Sequence, residues 1–121
     1  MKPRRCKSST NLDLFLDFPA TKTHLAELLG VARSTLVIWE GIAFWRIASF
    51  RTSYPRLSDG SHDRESPLSP YQCWVLCRIG RLMFQLRRSE RVKNYIAKNP
   101  NDFSRYHFQK PQNQVQQRIG A

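Results

Sequence analysis

The feature that most narrows what this chain can fold into is a change of rhythm at Gly30. From Thr21 onward Leu25, Ala26, Leu28 and Leu29 recur at a helical period, which marks one stripe of a short amphipathic helix. Glycine enters the left-handed region without a Cβ penalty, so Gly30 ends that helix and turns the chain. A second helical pattern starts at Ser34 and Thr35, residue types suited to an N-terminal cap, and gathers Leu36, Trp39 and Ala43 on one face with Ile42 beside them. Gly41 weakens its continuation. Two helices joined this tightly must cross at a large angle. Ala26 is small where the second helix approaches, Val31 plugs the elbow, and Leu25, Leu29, Leu36 and Trp39 bury the pair. KTHLAELLGVARSTLVIWE, residues 22–40, therefore has the spacing of a helix-turn-helix. That spacing leaves Ala32, Arg33, Ser34, Val37 and Ile38 outward at the front of the second helix, where a DNA major groove would lie. A plain helical hairpin shares part of this pattern. The combination of the Ala-x3-Gly spacing, the Ser-Thr start and a basic composition favours the DNA-binding form.

The basic composition is pronounced. Twenty Lys and Arg stand against nine Asp and Glu, for a formal charge of +11, which points to phosphate polyanions as partners. Residues 86–121 hold eight of those cations and two of the acids, so more than half the excess lies there. With 40% apolar residues in 121, the chain can build one core and one domain, and a two-domain enzyme is excluded by size.

Around the corner the reading is mainly α. Leu12, Leu14, Leu16 and Phe18 alternate with Asp13, Phe15 and Asp17, a period of two that reads as a short strand ended by Pro19, with a helical turn as the alternative. Residues 49–69 are rich in Ser, Pro, Asp and Gly and read as a loop or hairpin bent at Ser58-Asp59-Gly60, the candidate wing. Ser69 and Pro70 then open a long helix with a buried stripe of Tyr71, Trp74, Val75, Ile79, Leu82 and Leu86. A last helix starts near Ser89, buries Val92, Tyr95 and Ile96, and stops at Asn99-Pro100. The predicted organisation is a flexible basic segment over 1–11, a winged helix-turn-helix domain over 12–99, and a tail over 100–121 that is first aromatic and basic, then Gln-rich and partly disordered.

The stretches LAELLGVARSTLVIWE and PLSPYQCWVLCRIGRL resemble the MerR-type transcriptional regulators. Their winged helix-turn-helix reads LAxxxGVSxxTLRxYE, then a wing, then a helix beginning LSxxxLxxLxxI. The resemblance spans residues 21–86 and implies a DNA-binding dimer that controls a promoter. More distantly, the chain resembles the small MerR-like repressors encoded beside CRISPR-associated transposons of cyanobacteria, which implies a regulator of a mobile element. Family members carry a polar Arg in the stretch where this chain has Val37 and Ile38. Two apolar side chains must here meet thymine methyls, a partner or the core. The family's long dimerisation helix and effector domain have no counterpart in the short segment 89–99, so no small-molecule effector is expected.

The candidate DNA contacts are Arg33 for a base edge or phosphate, with Ser34, Thr35, Val37 and Ile38 beside it, and Thr23 at the first helix N-terminus, where backbone N–H groups face outward. The wing adds Arg46, Arg51, Tyr54, Arg56 and Arg64 as phosphate clasps, or as a solvated loop face. Arg87, Arg88, Arg91, Lys93, Lys98 and Arg105 track the flanking backbone or keep a surface soluble. Phe103, Tyr106 and Phe108 read as a docking strip for the tail in preference to a base-stacking platform.

Cys73 and Cys77 lie one helical turn apart and read as buried thiols. Cys6, His24, His62 and His107 supply no recognisable zinc spacing, so no metal or other cofactor is expected. No nucleophile elbow, phosphate-cradling glycine loop or carboxylate pair is present, and no enzyme is expected. The stretch LDLFLDF is too short for a signal h-region, and VIWEGIAFWRI is broken by Glu40, Gly41 and Arg46 before a membrane span is complete. A cytoplasmic, nucleoid-associated location follows. Residues 12–18, the Trp45–Phe50 neighbourhood and the Val92-Tyr95-Ile96 face hold apolar surface enough to suggest a homodimer. Two other classes stay open: a basic RNA-binding or nucleoprotein-assembly subunit, and an adaptor that docks a protein through Val37 and Ile38.

Overall fold

The computed structural model describes residues 14–109, which are mainly helical. In chain order the elements are α1 (Lys22–Leu29), α2 (Arg33–Arg46), α3 (Ala48–Thr52), α4 (Pro70–Leu86) and α5 (Ser89–Lys98), followed by a 3-10 turn over Pro100–Phe103. The basic segment 1–11, Cys6, Leu12, Asp13 and the Gln-rich part of the tail lie outside the described residues.

The boundaries follow from local chemistry. Thr21 caps α1 by accepting a hydrogen bond from the His24 backbone N–H at 3.1 Å, and Gly30 closes it at φ 73°. The Val31 N–H then donates to the Ala26 carbonyl at 3.0 Å, a reach that Gly30's left-handed geometry permits. At the start of α4, Ser69 accepts from the Gln72 N–H while Gln72 Oε1 accepts from the Ser69 N–H, a reciprocal capping box with Pro70 in the first turn. Asn99 and Pro100 stop α5.

α4 is the central rod. Its first three turns bury Tyr71, Gln72, Cys73, Trp74, Val75, Leu76, Cys77, Ile79 and Gly80. This is nearly all round, and wider than the stripe expected from the sequence; Leu82 and Leu86, at the other end, are only partly buried. The contacts of α2 and α5 on α4 explain the difference, since a helix covered from several sides needs no polar face. Gly80 marks the closest approach: a Cβ there would stand 2.6 Å from Trp39 Cζ3.

Several expectations need correction. No strand forms over residues 14–18; the only pairing nearby is the bridge between Ala20 and Leu68, with N–H to O distances of 2.9 and 2.7 Å. A period of two makes a strand only where an edge is offered, and here Leu14 and Leu16 pack directly on the core instead. Ser34 and Thr35 do not cap α2, whose N-cap is Ala32 without a side-chain bond. Gly41 does not interrupt α2. Residues 49–52, assigned to the loop, belong to α3. The expected wing is reduced to one antiparallel bridge, Arg56 to His62, around a turn with Gly60 at φ 91°. No strand occurs among the described residues, so the observed class is mainly α without a strand wing.

The core also runs past residue 99. Phe103 and Phe108 are buried; Tyr71 donates to the Phe103 carbonyl, and Phe108 packs against Tyr71, Trp74 and Phe15. Two of the three aromatics expected to dock the tail are thus core residues, and only Tyr106 is exposed. No single helix among the described residues is long and apolar enough to cross a membrane.

Candidate nucleic-acid interface

α1 and α2 meet at 106° across the break at residues 30–32, within the range of helix-turn-helix pairs. Leu25, Ala26, Leu29, Leu36 and Trp39 are buried at the junction, with Val31 packed partly against them. Leu28, placed on the same stripe by sequence, is instead 45% exposed. The first two turns of α2 present a bare front: Ala32, Arg33 and Ser34 are exposed, Thr35 is half-buried, and Val37 and Ile38 are 40% and 60% exposed. Thr23 is exposed on the first turn of α1. The corner therefore gathers Thr23, Arg33, Ser34, Val37 and Ile38 toward solvent, while Thr35 sits at the margin.

The wing candidates divide. Arg46 is exposed at the end of α2, and Arg56 is exposed on the loop, donating to the Gly60 carbonyl at 2.7 Å. Tyr54 is not at the surface. It is buried, and its hydroxyl donates to Glu40 Oε2 at 2.8 Å. Arg64 forks onto the same carboxylate, Nη2 to Oε1 at 2.6 Å and Nε to Oε2 at 3.0 Å, and lies 4.1 Å over the Phe44 ring. Arg51 donates to the Phe44 carbonyl at 2.7 Å. Tyr54 is thus committed inside the protein, which corrects the phosphate contact expected of it, whereas Arg64, its side chain 37% exposed, is paired with the buried acid and half-buried Arg51 is bonded to a helix-end carbonyl.

Glu40 is the residue that sequence reasoning missed. It is buried, and a buried carboxylate is tolerated only when its lone pairs are filled. Arg64 and Tyr54 fill them, tying the loop to the back of α2. Burial, then the bond to Glu40, pushes the Tyr54 hydroxyl far above its ordinary range, so it stays a donor. The bond to Glu40 holds Arg64 firmly protonated. The available signal was Glu40's place one turn after Leu36 on the buried face of α2; nothing in the spacing named partners 14 and 24 residues away.

His62 packs edge-on against Phe44 with ring centroids 5.7 Å apart. Its Nδ1 is buried without a partner among the described residues, and desolvation, then Arg56 and Arg51, lowers its pKa.

Beside the bare front, Ile38, Gly41, Ile42, Trp45 and Arg46 of α2 and Ser89 and Lys93 of α5 line an open groove of about 260 Å³. Trp45 is 66% exposed. In the Val92-Tyr95-Ile96 face, Val92 and Ile96 are buried internally, so it is core and not a free surface. Burial pushes the Cys73 thiol up to about 12, which keeps it an inert packing group. No group of three or more His, Cys, Asp or Glu side chains that could hold a metal occurs among the described residues.

Comparison with protein-family models, with curated proteins and with solved structures returned no match.

Proposed function

We propose that this chain is a sequence-specific duplex-DNA-binding regulator of transcription, of the MerR-like kind that its LAELLGVARSTLVIWE segment resembles. It acts as a homodimer that represses by occupying a promoter, the resemblance extending to regulators of CRISPR-associated transposons. The proposal gives it no catalytic role. The observation that carries the reading is the 106° corner whose second helix leaves Arg33, Ser34, Val37 and Ile38 bare in a chain of charge +11. An outward helix front of this size suits the major groove, with Arg33 offering a bidentate donor to guanine and Val37 meeting a thymine methyl. Arg56 supplies a phosphate contact that fixes register.

The test is a footprint on the DNA upstream of the chain's own coding sequence, followed by titration of the protected duplex. Arg33→Ala is expected to cost about 1–3 kcal/mol on the preferred site and to relax its sequence preference. Arg56→Ala is expected to weaken all duplexes alike. Failure to retain any duplex at low salt overturns the reading.

A second reading, a protein-docking adaptor, draws on the exposed apolar stripe Ile38 and Trp45. It expects partner binding indifferent to salt.

A further inference from the structure

Three apolar surfaces suggest self-association in the sequence, and the structure leaves large exposed side chains on two of them. Phe18 is 78% exposed, the most of any large apolar side chain among the described residues, and Trp45 is 66% exposed with Ile38 beside it at 60%. Trp45 and Ile38 form the open side of the groove between α2 and α5, whose rim carries Arg46 and Lys93. Phe18 stands next to the exposed acid Asp17 and before Pro19, on a bent segment rather than in a helix or strand. One feature is an apolar slot with a basic rim; the other is a projecting aromatic ring with an acid attached.

We propose that the α2–α5 groove receives the Asp17–Phe18 corner of a second copy of this chain, in a reciprocal contact that forms the homodimer. Charge decides the occupant. A chain of +11 repels its own copies, so a self-contact must bring an acid of one copy to a base of the other. Asp17 does so against Arg46 and Lys93 while Phe18 covers the indole of Trp45. The Phe44 ring, 4.9 Å edge-on from Trp45, holds that indole from behind. Glu27 beside Leu28 is a smaller acid-apolar pair, but it sits on the corner used for DNA. A two-fold axis makes the contact twice, so each copy offers both the ring and the slot. The groove begins at Ile38 and runs along the later turns of α2, clear of Arg33 and Ser34. Arg33, 12 residues before Trp45 and about 18 Å away along the helix, stays free for a duplex. This proposal rests on the dimeric part of the reading above and names its surface.

The test measures self-association of the full chain by sedimentation, with a trans cross-link as the second readout. Wild type is expected to dimerise in the micromolar range, and Phe18→Ser and Trp45→Ala each to weaken the dimer at least tenfold. Both side chains are exposed, so helical circular dichroism should be unchanged. Asp17→Arg and Arg46→Asp each weaken the dimer, and the double variant Asp17→Arg/Arg46→Asp recovers it. In a Cys6→Ser background, Phe18→Cys chains mixed with Trp45→Cys chains should form a disulfide between differently tagged copies under mild oxidation. A monomeric wild type, a dimer indifferent to these substitutions, or Trp45 shielded by duplex DNA but not by self-association overturns the proposal. Retention of duplex by wild type is scored separately, so loss of DNA binding with an intact cross-link sinks the functional reading alone.

Discussion

Glu40 and Gly80 show how single residues set the shape that α2 presents. Glu40 holds Arg64 and Tyr54 by three hydrogen bonds, and its position fixes the loop behind the helix. Tyr54→Phe keeps the buried ring but removes one donor from a buried carboxylate, a change expected to destabilise by about 1–2 kcal/mol in chemical denaturation. Gly80 acts through space alone. It lies within α4, and its missing side chain makes room for Trp39: an added Cβ would meet Cζ3 at 2.6 Å and Cη2 at 2.8 Å. Trp39 is buried, so its ring has no free path away. Gly80→Ala should therefore cost about 1–3 kcal/mol by overpacking, despite alanine's better helix propensity. Gly41→Ala, with nothing within 4 Å of the added atom, should gain a few tenths to about 1 kcal/mol. Opposite signs at two helical glycines, read from melting curves, would locate the α2–α4 contact without a structure.

At the scale of elements, the sequence was legible where chemistry is local. α1, α4 and α5 carry their own start and stop signals in Thr21 and Gly30, Ser69 and Pro70, and Asn99 and Pro100. A strand depends on a partner edge, and among the described residues segment 14–18 meets none, the Ala20–Leu68 bridge lying just beyond it. α3 is five residues long, too short to display a period. The exposed front of α2 was readable because helical periodicity alone assigns it; Tyr54 was misplaced, and the partners of Arg51 and Arg64 went unread, because tertiary packing sets them. The loop they hold has a testable pH dependence. Burial holds the His62 imidazole below its ordinary value near 6.5, with Arg56 and Arg51 adding to the effect. A base depressed in the folded state binds its proton more readily when unfolded. Its penalty is absent above the unfolded value and grows as pH falls through it. Thermal stability should thus drop as pH falls from about 7.5 to about 5, and His62→Phe, which keeps the edge contact with Phe44, should flatten that slope.

The whole molecule is defined by its charge, and the structure limits which part of it can work on a duplex. Arg64 is paired with Glu40, a pair that the net +11 already counts as zero, and Arg51 keeps its charge while donating to a carbonyl. Arg33 and Arg46 are exposed on α2, Lys93 lines the groove from α5, and Arg56 is exposed on the loop that Glu40 anchors. With Arg46 and Lys93 turned to the partner copy, Arg33 and Arg56 are left to neutralise one phosphate each, and the logarithm of the binding constant should fall with the logarithm of salt at a slope of about −1.8 per protomer. Raising salt from about 50 to about 200 mM would then weaken binding roughly tenfold per protomer. Each of Arg33→Ala and Arg56→Ala should bring the slope nearer zero by about 1. Arg64→Ala should leave the slope nearly unchanged while lowering stability, because its charge is already satisfied within the fold. A titration of duplex against salt separates these cases. A slope that Arg64→Ala reduces as much as Arg33→Ala would mean that the Glu40 pair opens on DNA, and the interface would have to be redrawn to include the loop. A flat slope for wild type would favour the adaptor reading, in which Ile38 and Trp45 meet an apolar partner.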